Sequence, residues 1–212
     1  MKFKKLMAAV TTGVLAVTSL SLSGLIGSAE VQELMNDTFE SGYGAWKGVG
    51  SSLSLSTEQA HNGGTSLYCY DRTANWGAPR CSLTGIVAAG QSYEISASAM
   101  YEGSGQQNMA IKMIYTDANG TDHYDQVAAA QATAGQWVEI KGNYTVPSGA
   151  TDMILYVEMP DANTDQTYYI DDVVIKGEKT EIQLDDKFES DFDNNSTQKW
   201  NGRGSAKVEL SN

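Results

Sequence analysis

The run Ser51-Ser52-Leu53-Ser54-Leu55-Ser56-Thr57, the turn cluster His61-Asn62-Gly63-Gly64 and the run Thr65-Ser66-Leu67-Tyr68-Cys69-Tyr70 decide the fold class. The first run alternates with period two, the pattern of a half-buried strand, and Leu53 and Leu55 are predicted to point inward. A turn and a second strand-like run follow at once. Outward from this pair the theme repeats over Ser92–Tyr101, Met109–Tyr115, Tyr124–Ala129, Gln136–Val146, Met153–Met159 and Tyr168–Ile175. Asp117-Ala118-Asn119-Gly120 and Pro147-Ser148-Gly149 punctuate it. No helical period occurs outside the opening of the chain. Residues 37–176 therefore read as one all-β domain, a two-sheet antiparallel jelly-roll sandwich. A domain of that size buries about two-thirds of its unfolded surface, enough for an independent core.

Upstream, Glu30–Asn36 reads as a short polar leader. Before it stand the basic Met1-Lys2-Phe3-Lys4-Lys5, an apolar run from Leu6 to Ile26 and the small-residue site Gly27-Ser28-Ala29. These are the three regions of a secretory signal peptide, residues 1–29, and they predict a secreted, extracellular protein. No later apolar run could span a bilayer, so no membrane association is expected after cleavage. Loss of Lys2, Lys4 and Lys5 would carry the formal charge from −12 to −15. Such a surface repels nucleic acid and anionic membranes and favours neutral ligands or divalent cations. Uncharged polysaccharides and Ca²⁺ fit that balance, and a monomer is expected.

Downstream, residues 177–184 read as a linker, and then an earlier pattern returns. Asp186-Lys187-Phe188-Glu189-Ser190 followed by Trp200-Asn201-Gly202-Arg203-Gly204-Ser205 echoes Asp37-Thr38-Phe39-Glu40-Ser41 followed by Trp46-Lys47-Gly48-Val49-Gly50-Ser51. Residues 185–212 are read as the truncated start of a second copy of the same module.

Three groups of residues are candidates for function. The first is Cys69 to Cys81, which sets Trp76 among Asn, Gly and Arg in a Gly- and Pro-bearing turn, where an aromatic face reaches a ligand. In an exported chain Cys69 and Cys81 more often form a disulfide than a metal or catalytic site, and a bridge would stiffen that loop. The alternative is two reduced, buried thiols. The second group lies in Met153–Met159, where alternation puts Leu155 and Val157 on one face and Tyr156 and Glu158 on the other. A ring stacks on the C–H face of a pyranose and a carboxylate accepts from its hydroxyls, so this pair suits sugar recognition, with Tyr124 as a second platform. Half-buried strand tyrosines are the alternative. The third group, Glu40, Glu58, Asp171 and Asp172, falls near the two ends of the module and could hold Ca²⁺ together with backbone carbonyls; a solvated acidic face is the alternative. Nothing supports catalysis: His61 and His123 are the only histidines, and a nucleophilic triad or zinc site lacks its parts.

In these stretches, and in Arg72-Thr73-Ala74-Asn75-Trp76, Trp137-Val138, Gly142–Pro147 and Tyr169-Ile170-Asp171-Asp172-Val173, residues 37–175 resemble a family 22 carbohydrate-binding module. The resemblance implies a non-catalytic module binding xylan or a related β-glycan such as mixed-linkage β-glucan, in the N-terminal part of a secreted endo-1,4-β-xylanase, a glycoside hydrolase. It implies a cleft formed by Trp76, Tyr124, Tyr156 and Glu158. It also implies a structural Ca²⁺ on Glu40, Glu58 and Asp171 with the carbonyls of Thr38 and His61. The family's cleft arginine is replaced by Val49, with Arg72 and Arg80 as candidates to compensate, and the truncated copy keeps it as Arg203. The loss at Val49 motivates the alternative of a structural or thermostabilising spacer with a decayed cleft.

Overall fold

The structure is a computed structural model that describes residues 31–178. The predicted signal peptide and second copy lie outside the described residues. Eleven strands are formed, and the described residues contain no helix: β1 (Val31–Asp37), β2 (Lys47–Val49), β3 (Ser52–Ser56), β4 (Ser66–Tyr70), β5 (Ala78–Ser82), β6 (Ser92–Glu102), β7 (Gln106–Thr116), β8 (Asp122–Thr133), β9 (Val138–Thr145), β10 (Thr151–Glu158) and β11 (Thr167–Glu178).

They build two sheets, paired antiparallel throughout. One runs β3-β4-β11-β6-β9 with β1 also on β11, and the other runs β2-β5-β10-β7-β8. This is the predicted jelly-roll sandwich. The inward residues follow from alternation: Leu155 and Val157 of β10 and Ile111 and Met113 of β7 meet Leu67, Ile95, Ile140 and Ile170 of the facing sheet, all fully buried. Each such side chain contributes about 1.5–3 kcal/mol of transfer free energy. Trp46 is buried in this core, edge-on to Phe39 at 6.0 Å, and its indole N–H donates to Asp37 Oδ2 at 2.6 Å.

Long β11 organises the first sheet. β4 pairs with Tyr168–Ile170 on one flank, and β1 takes the same flank further along, from Asp37 opposite Val173 to Val31 opposite Glu178. Asp171 and Asp172 fall in the seam between these two partners. A bulge in the β11–β6 ladder follows Asp171, and Asp172 has a φ of 46°.

Several expectations are corrected. The supposed leader is almost all strand β1, held by backbone pairing to β11, with Met35 as its buried side chain. The supposed linker begins too early, because Gly177 and Glu178 still belong to β11. Leu55 is 40% exposed on the edge strand β3, and only Leu53 reaches the core. Cys69 and Cys81 are free, buried thiols rather than a disulfide. The bridge was expected from export alone; β4 and β5 enter different sheets, and each thiol is buried in the core without the other as its partner. Burial raises both thiol pKa values, that of Cys81 to about 11.

A candidate carbohydrate-binding cleft

Because Leu155 and Val157 point inward, Tyr156 and Glu158 lie on the outer face of the second sheet. Register extends that face sideways. Lys47 of β2 pairs with Arg80 of β5, Arg80 with Tyr156 of β10, Tyr156 with Lys112 of β7, and Lys112 with Gln126 of β8. Directly opposed residues share a face, so these five form one row across the sheet. In the next row Ile154 pairs with Ile114 and Ile114 with Tyr124. Ala78, Ile114 and Tyr156, backed by Ile154, make a small apolar floor separate from the main core.

Two aromatic side chains rise from this floor. Tyr124 is 61% exposed and Trp76 50%. The loop from Asp71 to Gly77 carries Trp76, and its shape is set by Arg72, only 4% exposed. The Arg72 guanidinium donates to the carbonyls of Gly77 at 3.0 Å, Asn75 at 2.5 Å, Asn163 at 3.1 Å and Met159 at 3.0 Å. All of its donor nitrogens are thereby committed to the loop and its neighbour, and Arg72 is a structural residue, unavailable to a ligand. The Trp76 ring lies over Gly50, whose φ is +65°; a Cβ there would stand 2.7 Å from the ring, so that position requires glycine.

Arg80 stands between the two rings that matter most. Its guanidinium carbon is 5.8 Å from the Trp76 centroid and 5.2 Å from that of Tyr156, both within cation–π range. Val49 is 36% exposed and pairs with Ala78, two residues along β5 from Arg80. A guanidinium thus stands close to the position where the family resemblance implied one.

Tyr156 and Glu158 are more covered than the sequence suggested, each 3% exposed. Arg80 and Lys112 flank Tyr156, and the Lys112 ammonium pairs with Glu158 Oε1. Burial, and then the negative charge of Glu158, push the Tyr156 phenol up to about 12, so it remains a neutral donor at any physiological pH. Tyr124 is close enough to add to that shift. The structure therefore brings Trp76, Tyr124, Tyr156 and Glu158 to one face, and adds Lys47, Lys112 and Arg80. The two lysines escaped the sequence reading; alternation from inward Trp46 and Met113 was the signal that could have placed them. The face offers stacking platforms, a tyrosyl donor, a carboxylate and a guanidinium, a set suited to binding polyols.

The carboxylates implied for calcium are arranged differently. Among the described residues no three His, Cys, Asp or Glu side chains are placed to hold a metal ion. Glu40 Oε1 accepts the amides of Gly64 at 3.0 Å and Thr65 at 2.9 Å. Asp171, fully buried, accepts the amides of His61 at 2.9 Å and Asn62 at 3.3 Å on Oδ2, and that of Asp172 at 2.8 Å on Oδ1. Asp172 accepts from the Asn62 side-chain amide at 2.6 Å and lies 2.6 Å from His61 Nδ1. Glu58 is exposed, and Thr38 is half-buried just before Phe39. Glu40 and Asp171 bracket the loop at residues 61–65 from two sides, but a three-carboxylate set is not assembled. Desolvation raises the Asp171 pKa.

Comparison with known proteins points to carbohydrate binding. A family model described as a carbohydrate binding domain matches residues 32–167. The C-terminal family 22 carbohydrate-binding module of a Clostridium thermocellum protein is 32% identical with a TM-score of 0.64, the match covering 71% of this chain and 97% of that one. A xylan-binding domain of Paenibacillus barcinonensis gives the same identity, score and coverage. The chain belongs to carbohydrate-binding module family 22. Among curated proteins, endo-1,4-β-xylanase A of Thermotoga neapolitana is 36% identical over 156 residues, 70% of this chain and 14% of that protein. A xylanase/β-glucanase of Ruminococcus flavefaciens is 32% identical over 154 residues, 71% of this chain and 19% of that protein. The chain spans less than a fifth of the length of these two relatives.

Proposed function

We propose that this chain binds xylan, without catalysis, through the outer face of its second sheet, as part of a secreted endo-1,4-β-xylanase. The observation that carries the reading is the joint placement of Trp76, Tyr156, Glu158 and Tyr124 on one face, two of the rings standing free for stacking. Titration calorimetry of the chain with xylohexaose tests it, and the expected result is saturable binding at or below millimolar ligand. Absence of heat at millimolar ligand would refute it. Titration with a mixed-linkage β-glucan oligosaccharide tells whether related β-glycans are also bound. A decayed spacer is the weaker reading, because Arg80 supplies a guanidinium near the position lost at Val49.

Calcium belongs to the same proposal, carried by fewer groups than anticipated. Asp171 is buried and outside every ion pair of the described residues, Glu40 faces the same loop, and hard oxygen donors suit Ca²⁺. A bound ion would raise the melting temperature. An identical melt in EDTA and in excess Ca²⁺ would reject it. Export and a monomeric state complete the proposal, the first supported by the leading sequence.

A further inference from the structure

Arg80 is the unexplained group of the cleft. Its Nε is buried and has no hydrogen-bond partner, and the guanidinium enters none of the hydrogen bonds or ion pairs of the described residues. Arg72, eight residues earlier, spends its guanidinium on four carbonyls. Unpaired buried polar atoms are rare in folded proteins, so the placement of Arg80 asks for a functional reason. The guanidinium lies within cation–π range of both Trp76 and Tyr156, and its terminal nitrogens have no partner among the described residues.

Charge sharpens this. Of the three cations in the row, Lys112 is neutralised by Glu158. Lys47 and Arg80 remain, directly opposite each other across the β2–β5 ladder. Like charges at that spacing destabilise a sheet. The chain nevertheless carries −12 overall, so two uncompensated cations side by side on the cleft face run against its balance. A neutral glycan uses a guanidinium only as a donor to its hydroxyls, whereas a carboxylate would also relieve the repulsion and accept from the terminal N–H groups of Arg80.

We propose that Lys47 and Arg80 form a subsite for an acidic branch, and that the preferred ligand is a β-1,4-xylan bearing uronic-acid substituents. The inference rests on the xylan-binding reading above and names the ligand class of that same face.

The test is calorimetry of the chain with xylohexaose and with a xylo-oligosaccharide of similar length carrying one glucuronic acid, at low salt and in 0.5 M NaCl. The acidic ligand binds on the order of tenfold tighter at low salt, as one charge-assisted contact implies. The advantage shrinks at high salt, because a solvent-facing ion pair is screened. Arg80→Gln removes it, and Lys47→Gln, at an exposed position, reduces it and keeps the test valid should the first variant fold poorly. Equal affinity for the two ligands, or a preference indifferent to salt and to Lys47→Gln, overturns this inference and leaves xylan binding standing. Binding of neither ligand overturns both.

Discussion

Trp76→Ala is the most informative single change, because the ring is half exposed on a loop whose shape other residues set. A tryptophan presents up to about 250 Å². With 50% of Trp76 open, about 125 Å² remains for a ligand to cover. At about 25 cal/mol per Å², full coverage is worth about 3 kcal/mol, and partial coverage about half that. Losing the ring should therefore weaken xylohexaose binding roughly 10- to 150-fold. The fold should hardly notice, since Arg72 pins the loop through backbone carbonyls and needs nothing from the indole. Calorimetry reads the affinity, and a thermal melt checks that the protein remains folded. The ligand-induced fluorescence change should largely fall away with the ring, because among the other described tryptophans Trp46 is buried in the core and Trp137 packs on His61, beside Asp172 of β11 in the first sheet. Trp76→Phe, which keeps a platform, should retain most of the binding. A folded Trp76→Ala protein that binds within about twofold of the parent would refute the stacking argument and move the ligand elsewhere on the sheet.

Leu155→Ala should cost about 2–5 kcal/mol in urea unfolding and Leu55→Ala under about 0.5 kcal/mol, since one is fully buried and the other 40% exposed. Equal costs would contradict the assigned faces. Both cysteines should resist iodoacetamide in the native protein and react fully after denaturation without reductant, because buried thiols with raised pKa values carry little thiolate. A need for reductant would restore the disulfide. In the β7–β8 turn the Thr121 amide, then His123, and then the Asn119 amide hold the Asp117 carboxyl down at about 2. A depressed carboxylate stabilises the fold above its ordinary pKa and loses that contribution as pH falls through the folded value. The urea midpoints of the parent and Asp117→Asn should therefore differ at pH 5 and converge toward pH 2; a difference that does not change with pH would refute the assignment.

The long strands were legible because each carries its own alternation over eight or more residues. The missed ones each lack that signal for a physical reason. β1 sets its apolar residues Val31, Leu34 and Met35 out of period-two alternation and is held by pairing with β11, a contact that spans most of the module. β2 is three residues long. β5 contains Pro79, which counts against a strand, yet its β10 ladder involves only Arg80–Ser82 and leaves the proline beyond it. Sheet assignment was the harder loss. Nothing local in Cys69–Cys81 says that the chain crosses between sheets there, and export by itself did not decide that the two thiols would be buried apart. The carboxylate partners were equally out of local reach: that Glu40 and Asp171 would be drawn onto the amides of residues 61–65 depends on where β1 ends and β4 begins along β11.

The cleft shows most clearly why composition misleads about a site. A chain at −12 reads as a binder of neutral ligands, and as a statement about long-range steering that reading holds. Register then overrules it at short range. Lys47, Arg80 and Lys112 come from three strands and from positions 65 residues apart, and only the β2-β5-β10-β7 order sets them in one row. Glu158 answers one of the three. The field a ligand meets is thus decided by which outward positions of neighbouring strands fall opposite one another. In a sandwich that follows from the lengths of the connecting loops and from the bulges, because a one-residue slip sends an entire row into the core.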